Sequence, residues 1–436
     1  MIARLFARSG WIALALLVLV TAMGVANHRG IKLDFANYYD VGQKAAAGEF
    51  DRLFDPFAPI AGKPPFGNMS FLGPPLTAYL YIPLTWMDPR DGINAFKFAG
   101  ALAQFAALFL IWRECRPLAG PTRERQALFF AAFAWAALVF QPLQAIFVVG
   151  GQTTPFAFLL ATLGWLAFRR DRMVWAALAI SGAVVLKPGF AIAAIILFFW
   201  SSNRFRNAAM LAGLTFVAAS GLVLGPDINL AFFTQTASEA GFVQAPWMNS
   251  NPFGWVEALF VPPEDFRVDT PRPGWLDTQL LSLRLVGVAL LIGFAFRIWR
   301  SGIEAAEKRS AVFLTALAAA LVFSPTVWSH YLMLALPMIA VLIAIADRLP
   351  FAARVTLAVI LASSVFQNFL IVSKLHDWSG FDSRWEILAI GLAKSAPLLL
   401  LAGLLLFARD AIAAALRKSS APPALPDPRP TGAARV

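Results

Sequence analysis

The chain has 436 residues, 59% of them hydrophobic and only 14% charged, with a formal net charge of +11. Apolar runs of about twenty residues recur from end to end, more than a soluble fold can hide, so a polytopic membrane protein is expected. The basic excess is read as topology and not as a nucleic-acid footprint, because lysine and arginine collect on the inner side of membrane proteins, and the single Cys115 excludes an internal disulfide and a multi-cysteine metal site.

In chain order, "MIARLFARSG" sets Arg4 and Arg8 ahead of the apolar run Trp11–Ala26. Gly24-Val25-Ala26 could pass for a signal-peptidase site, but the length and flanks also suit an uncleaved first span. Next comes "GIKLDFANYYDVGQKAAAGE", residues 30–49, with Asp34, Asp40 and the adjacent Tyr38 and Tyr39. Tyr38, Val41 and Ala45 share one helical face, which predicts a short helix lying flat on the bilayer and holding Asp34 at its surface.

The stretch "FLGPPLTAYLYIPLTWM" (71–87) is apolar but carries Pro74, Pro75 and Pro83. Proline removes a backbone donor and kinks a helix, so a full crossing there is not expected. Spans are predicted near 10–26, 92–112, 126–147, 154–168, 173–187, 188–202, 207–225, 280–298, 310–323, 331–346, 355–373 and 388–408. With 71–87 held at the outer interface, both termini lie inside. Arg113, Arg116, Arg123, Arg125, Arg169, Arg170, Arg172, Arg204 and Arg206 then face inward. A full crossing at 71–87 would turn every later basic loop outward.

The expected fold class is therefore all-α polytopic, with about twelve transmembrane helices in one domain, residues 1–418. Outer segments lie at 27–91, 226–279 and 374–387, the middle one with a short helix near Phe253–Phe260. The tail 419–436 reads as disordered and cytoplasmic. All three histidines (His28, His330, His376) and all five tyrosines fall on the outer half, so the working face is expected outside.

Each candidate residue there has a plain and a chemical reading. Asp34 is a solvated loop acid or helix N-cap, or a partly desolvated carboxylate usable as a base. Lys187, in the turn of the apolar run 173–202 and followed by Pro188, snorkels to headgroups or meets a lipid phosphate. His330, between Trp328 and Tyr331 after Ser324-Pro325, is an interface histidine or faces a phosphate or sugar hydroxyl. Gln152 in "GGQTTP", and Asn249 and Asn251 in "MNSNPFG", are solvated amides or sugar contacts. Walker and dinucleotide glycine loops, HExxH and GxSxG are all missing. An activated group at the outer face would then have to be present there already, most simply on a lipid phosphate.

Taken in order, "DFANYYDVGQKAAAGE", "FLGPPL" followed by "IPL", "GQTTPFAFLLATLGW", "AALAISGAVVLKPGF", "NSNPFG" and "SPTVWSHYLMLALP" resemble the glycosyltransferase family 87 proteins. These are polytopic GT-C enzymes that transfer a sugar, typically mannose, from a polyprenyl-phosphate carrier. The resemblance implies a GT-C fold and an outer-face transferase in a bacterial cytoplasmic membrane, with a polyprenyl-phosphate sugar as donor and a glycolipid or glycan as acceptor. Its partners would be membrane lipids and not nucleic acid. It implies Asp34 as the base that activates the acceptor hydroxyl, Lys187, His330 and Gln152 at the donor phosphate and sugar, and Tyr38, Tyr39, Asn249 and Asn251 as acceptor or loop contacts. Two departures stand out: Gly73-Pro74-Pro75 where relatives carry an aromatic-Pro pair, and Thr153-Thr154 where an Asn commonly follows Gln152. Some GT-C relatives use a divalent metal, but no acid neighbours Asp34, and Asp40 is six residues on, so no metal or other cofactor is expected. A flippase or a glycan ligase for polyprenyl-linked sugars is the alternative reading.

Overall fold

The structure, a computed structural model, describes residues 2–26, 33–55, 71, 73–140, 151–240, 249–262, 272–367 and 384–420. His28, His376 and the tail beyond Ser420, along with the expectations attached to them, lie outside the described residues. So do the final residues of the expected spans 126–147 and 355–373.

Sixteen α-helices are named among the described residues. They are α1 (Ile2–Ala26), α2 (Leu33–Ala47), α3 (Pro89–Cys115), α4 (Arg123–Val139), α5 (Thr154–Arg169), α6 (Met173–Leu186), α7 (Ala191–Trp200) and α8 (Asn203–Leu224). Then follow α9 (Pro226–Ala240), α10 (Gly254–Phe260), α11 (Gly274–Trp299), α12 (Ala305–Phe323), α13 (Leu336–Ala344), α14 (Phe351–Ser363), α15 (Arg384–Phe407) and α16 (Arg409–Ser420). The protein is an all-α, multi-pass membrane protein, and each predicted span has a helix at its position. Among the described residues, five helices are long and apolar enough to cross a bilayer unaided, and five more are apolar but shorter. The short ones cluster where proline interrupts the pattern: Pro188 separates α6 from α7, and Pro337 follows the 3₁₀ turn Ser329–Ala335 that leads into α13. The predicted short helix of the middle outer segment is α10.

The centre of the molecule is α12 with α13. From Ser310 to Val322 every residue is buried, as is all of α13. A helix apolar on every side belongs in the interior of a bundle, and α5, α7, α11 and α13 pack around α12. At one end Arg169, closing α5, pairs with both Glu114 of α3 and Glu307 of α12, while Arg170 also pairs with Glu114. Arg309 donates to the Arg169 carbonyl at 3.1 Å. Three helices are thus tied by charge at the arginine-rich end. The opposite end of α5 begins at Thr154, roughly 24 Å away at about 1.5 Å per residue, and the candidate residues gather there.

The segment Pro75–Trp86 forms no α-helix. It is a 3₁₀ helix that starts at Pro75, contains Pro83 and packs along α2. The Pro74 carbonyl accepts from both the backbone N–H (2.9 Å) and the hydroxyl (2.6 Å) of Thr77. Gly42 lets α2 approach, since a Cβ there would stand 2.7 Å from the Tyr81 carbonyl oxygen. This corrects one expectation. The face of α2 bearing Tyr38, Val41 and Ala45 does not lie on the bilayer but packs on Leu53, Phe71, Ala78 and Tyr81. The α2 apolar face is buried against this proline-containing strip instead of against lipid.

Candidate active site

Asp34 stands in the first turn of α2, Gln152 just before α5, Lys187 between α6 and α7, and His330 in the 3₁₀ turn before α13. Four chain-distant segments therefore meet at one end of the bundle. The Lys187 ammonium donates to Gln152 Oε1 at 2.7 Å and lies 5.2 Å from the centroid of the Tyr331 ring, within cation–π range. Gln152 is also close enough to the Asp34 carboxyl to favour its charged form, and the Tyr38 hydroxyl reaches Gln152 Oε1 at 3.5 Å. Lys187 has φ −145° and ψ 95°, so the chain is extended there and the side chain swings out of the α6–α7 turn. Its ammonium is taken up by Gln152 and the Tyr331 ring and does not point to open solvent.

Local backbone needs explain the placement. Gly151 has φ +87°, a conformation that residues with a Cβ rarely adopt, and a Cβ there would stand 2.9 Å from the Phe35 Cβ. Phe35 follows Asp34, so the glycine is what allows α2 and the Gln152 turn to touch. Thr153 donates to the Leu186 carbonyl at 3.4 Å, joining the start of α5 to the residue before Lys187. The Tyr38 ring is stacked on Tyr81 at 4.6 Å with planes 8° apart, which fixes its hydroxyl toward Thr153 and Gln152.

Electrostatics follow from this packing. Asp34 and Lys187 each keep some accessible surface, yet protein surrounds both groups, as it does for side chains lining a recess. Burial raises the Asp34 carboxyl to about 6, while Lys187, Gln152 and its own backbone pull it down. Burial also pulls the Lys187 ammonium down, but Tyr331, Tyr38 and Asp34 more than offset this, and the group stays above its usual range as a firm cation. The result is a carboxyl that gains and loses a proton just below neutral pH, beside a fixed positive charge. A general base for work near pH 7 needs that property.

His330 is only 2% exposed, and its ring meets Tyr331 edge-on at 4.7 Å. Its Nε2 is buried and has no hydrogen-bond partner among the described residues. Buried polar atoms are nearly always satisfied, so an open nitrogen beside a cation marks a place for a ligand group.

Other candidates lie elsewhere or are occupied. Tyr39 points away from Asp34 and donates to the Met87 carbonyl at 2.9 Å. Asp40 pairs with Lys44 at 2.8 Å. The Asn249 side chain accepts from the N–H groups of Asn251 (3.0 Å) and Val327 (2.9 Å) and donates to the Pro325 carbonyl at 3.1 Å. Asn251 accepts from the Phe253 N–H at 2.7 Å and donates to the Ser324 carbonyl. These amides are spent on backbone: they clamp the 249–254 loop to the 322–328 segment that leads into the 3₁₀ turn carrying His330. Asn249→Ala is accordingly expected to leave two buried N–H groups unpaired and lower stability by about 1–3 kcal/mol for each. Thermal unfolding in detergent checks this; an unchanged midpoint with a raised acceptor KM would restore a contact role.

Two partners were missed by sequence reasoning. Tyr81 and Tyr331 read as interface aromatics, and only tertiary contact shows them shaping the site.

A family model for glycosyltransferase family 87 matches residues 71–325, more than half of the chain. The chain belongs to glycosyltransferase family 87. As a member of that family it is a membrane glycosyltransferase. Two solved structures of ArnT from Cupriavidus metallidurans are similar at a distance. The one bound to undecaprenyl phosphate shares 12% identity at a TM-score of 0.33, covering 93% of this chain and 78% of that one. The apo form gives 12% identity and a TM-score of 0.32, over 94% of this chain and 78% of the other. A likeness that low decides nothing about this family 87 chain. No curated protein matches it.

Proposed function

We propose that this family 87 member transfers a hexose, mannose being the first candidate, from a polyprenyl-phosphate donor to a hydroxyl of a glycolipid or glycan. The work is done at the outer face of a bacterial cytoplasmic membrane, with both termini inside. The observation that supports this most is Asp34, a carboxyl raised to about 6 beside Lys187 and Gln152. Asp34 takes the proton of the acceptor hydroxyl while that oxygen attacks the anomeric carbon. The bond from that carbon to the phosphate oxygen breaks, its electron pair leaves with the polyprenyl phosphate, and the configuration inverts. A β-linked donor gives an α-linked product. Lys187, His330 and Gln152 face the donor's sugar and phosphate, where fixed charge and hydrogen-bond donors stabilise the leaving group most effectively. Tyr38 lines the approach to Asp34.

Asp34 is balanced by Lys187, and Asp40 is paired with Lys44. Among the described residues no second carboxylate stands next to the base, and the mechanism proposed here uses no metal. Activity is expected to survive EDTA; loss that Mn²⁺ or Mg²⁺ restores would contradict this. The reading as a whole is tested with purified protein and labelled polyprenyl-phosphate mannose, followed by mass analysis and anomer assignment of the product. Label appearing in an α-linked glycolipid or glycan supports it. A polyprenyl-linked sugar that is merely moved across vesicles, without a new glycosidic bond, would favour a flippase.

A further inference from the structure

The α11 helix buries only a narrow stripe, with Leu276, Leu280, Arg284 and Leu291 along it, while Leu283, Leu285 and Val286 beside the stripe are exposed as lipid-facing residues are. Leu276 and Leu280 pack with Val256 and Ala258 of α10 and with Ile387 of α15. Just past Arg284, a Cβ at Gly287 would stand 2.8 Å from Val322 Cγ1 and 3.3 Å from the ring of Phe253, the residue before α10. Arg284 lies between these two sets of contacts. It therefore faces the seam where α10 rests on α15, near the end of α12 that leads to His330.

The nearby acids are already engaged by another arginine. Arg272 donates through Nε to Glu257 at 2.9 Å and through Nη1 to Asp277 at 2.6 Å, and its Nη2 stands 2.6 Å from Glu257. Glu257, Arg272 and Asp277 act on the Arg284 charge from a distance. Arg284 itself is only 6% exposed and makes no hydrogen bond or ion pair among the described residues, and its Nε is sealed off without a partner. Trp255 packs on the same cluster, and its Nε1 is sealed and unpartnered too. Guanidinium and indole nitrogens donate and cannot accept. The charge here is balanced at a distance, but the hydrogen bonds are not made. Such a place lacks an acceptor, and the positive charge selects one that is an anion.

We propose that Arg284 binds the phosphate of an anionic membrane phospholipid seated at the α10–α11–α15 seam, a site separate from the one that takes the donor. A charge within a membrane bundle is costly and is retained where it meets a counter-charge or a ligand. The guanidinium fork matches two phosphate oxygens at once. Helical side chains lean toward the helix N-terminus, so Arg284 reaches from within α11 toward the headgroup layer on the His330 side. The exposed flank Leu283, Leu285 and Val286 gives the acyl chains a surface to lie on. This assignment does not rest on the polyprenyl-phosphate reading above.

The test is lipid binding. Full-length protein in neutral detergent is titrated with phosphatidylglycerol, diacylglycerol, glycerol phosphate or undecaprenyl phosphate, reading each variant's thermal midpoint against its own unliganded value. Phosphatidylglycerol should stabilise the wild type well beyond diacylglycerol, and glycerol phosphate at the same concentration should do little. Arg284→Gln should weaken phosphatidylglycerol by about tenfold or more, as loss of a charged hydrogen bond does, and leave the response to undecaprenyl phosphate as in wild type. Arg284→Lys should keep part of the affinity, and Arg284→Met carries the same comparison as Gln if Gln does not fold. A lowered unliganded midpoint with unchanged phosphatidylglycerol affinity would make Arg284 a structural counter-charge to Glu257 and overturn the site. An equal loss for undecaprenyl phosphate would put the donor here and overturn a separate site. Glycerol phosphate acting as strongly as the lipid would overturn the lipid assignment. A wild type that ignores undecaprenyl phosphate but responds to phosphatidylglycerol through Arg284 would sink the donor reading and support this one.

Discussion

Asp34→Asn is expected to cut transfer by about 10²–10⁴-fold, the usual worth of a general base, while the protein still inserts and still binds the lipid phosphate. Asn keeps the size and one acceptor oxygen, so the Gln152 contact and the start of α2 are preserved. What disappears is the ability to accept a proton. The wild-type profile should show this directly. A base works only when deprotonated, and the Asp34 carboxyl releases its proton at about 6, so kcat/KM should climb as pH rises through that value and flatten above it. Asp34→Asn should leave a low residual rate without that limb. Wild-type-like turnover by the variant in a reconstituted assay would remove Asp34 from the mechanism.

The second large effect is expected at Lys187. Burial raises the carboxyl and Lys187 is the first of the influences that lower it. Lys187→Met removes the lowering charge and leaves the burial, so the carboxyl must move up and the rising limb of the pH profile must move above 6. At pH 7 less of the enzyme carries a competent base, and a tenfold loss corresponds to about one pH unit of displacement. Gln152→Ala should shift the limb the same way, and Lys187→Arg should largely restore it. The measurement also separates two roles for the lysine. If Lys187 acted on the departing phosphate alone and not on the carboxyl as well, activity would fall with the limb unmoved.

Much of this site could be read from single residues, for reasons that differ. Asp34 and Lys187 stood out because charge is scarce in an apolar chain, so each cation or acid at a span end invites a question about its partner. His330 stood out by rarity and position. What sequence could not give was the pairing. Lys187 faces Gln152, 35 residues away, and that contact depends on the α6–α7 turn and on the positive φ of Gly151. The asparagines of "MNSNPFG" looked free to meet a sugar, but polar residues in a loop pressed against a second loop are consumed by backbone donors. Helix positions were legible from hydropathy, whereas the true partner of the α2 apolar face was not. A period of 3.6 says which residues share a side and nothing about what covers it.

Everything above depends on which side of the membrane α2 occupies. Gln43 is exposed on α2, and the only native cysteine, Cys115, is buried. A Gln43→Cys variant in a Cys115→Ala background therefore offers one reactive thiol on the helix that carries Asp34. A membrane-impermeant maleimide applied to intact cells, with the outer membrane permeabilised where there is one, should label this thiol in full. Labelling that appears only in inside-out vesicles would put α2 in the cytoplasm and contradict the account.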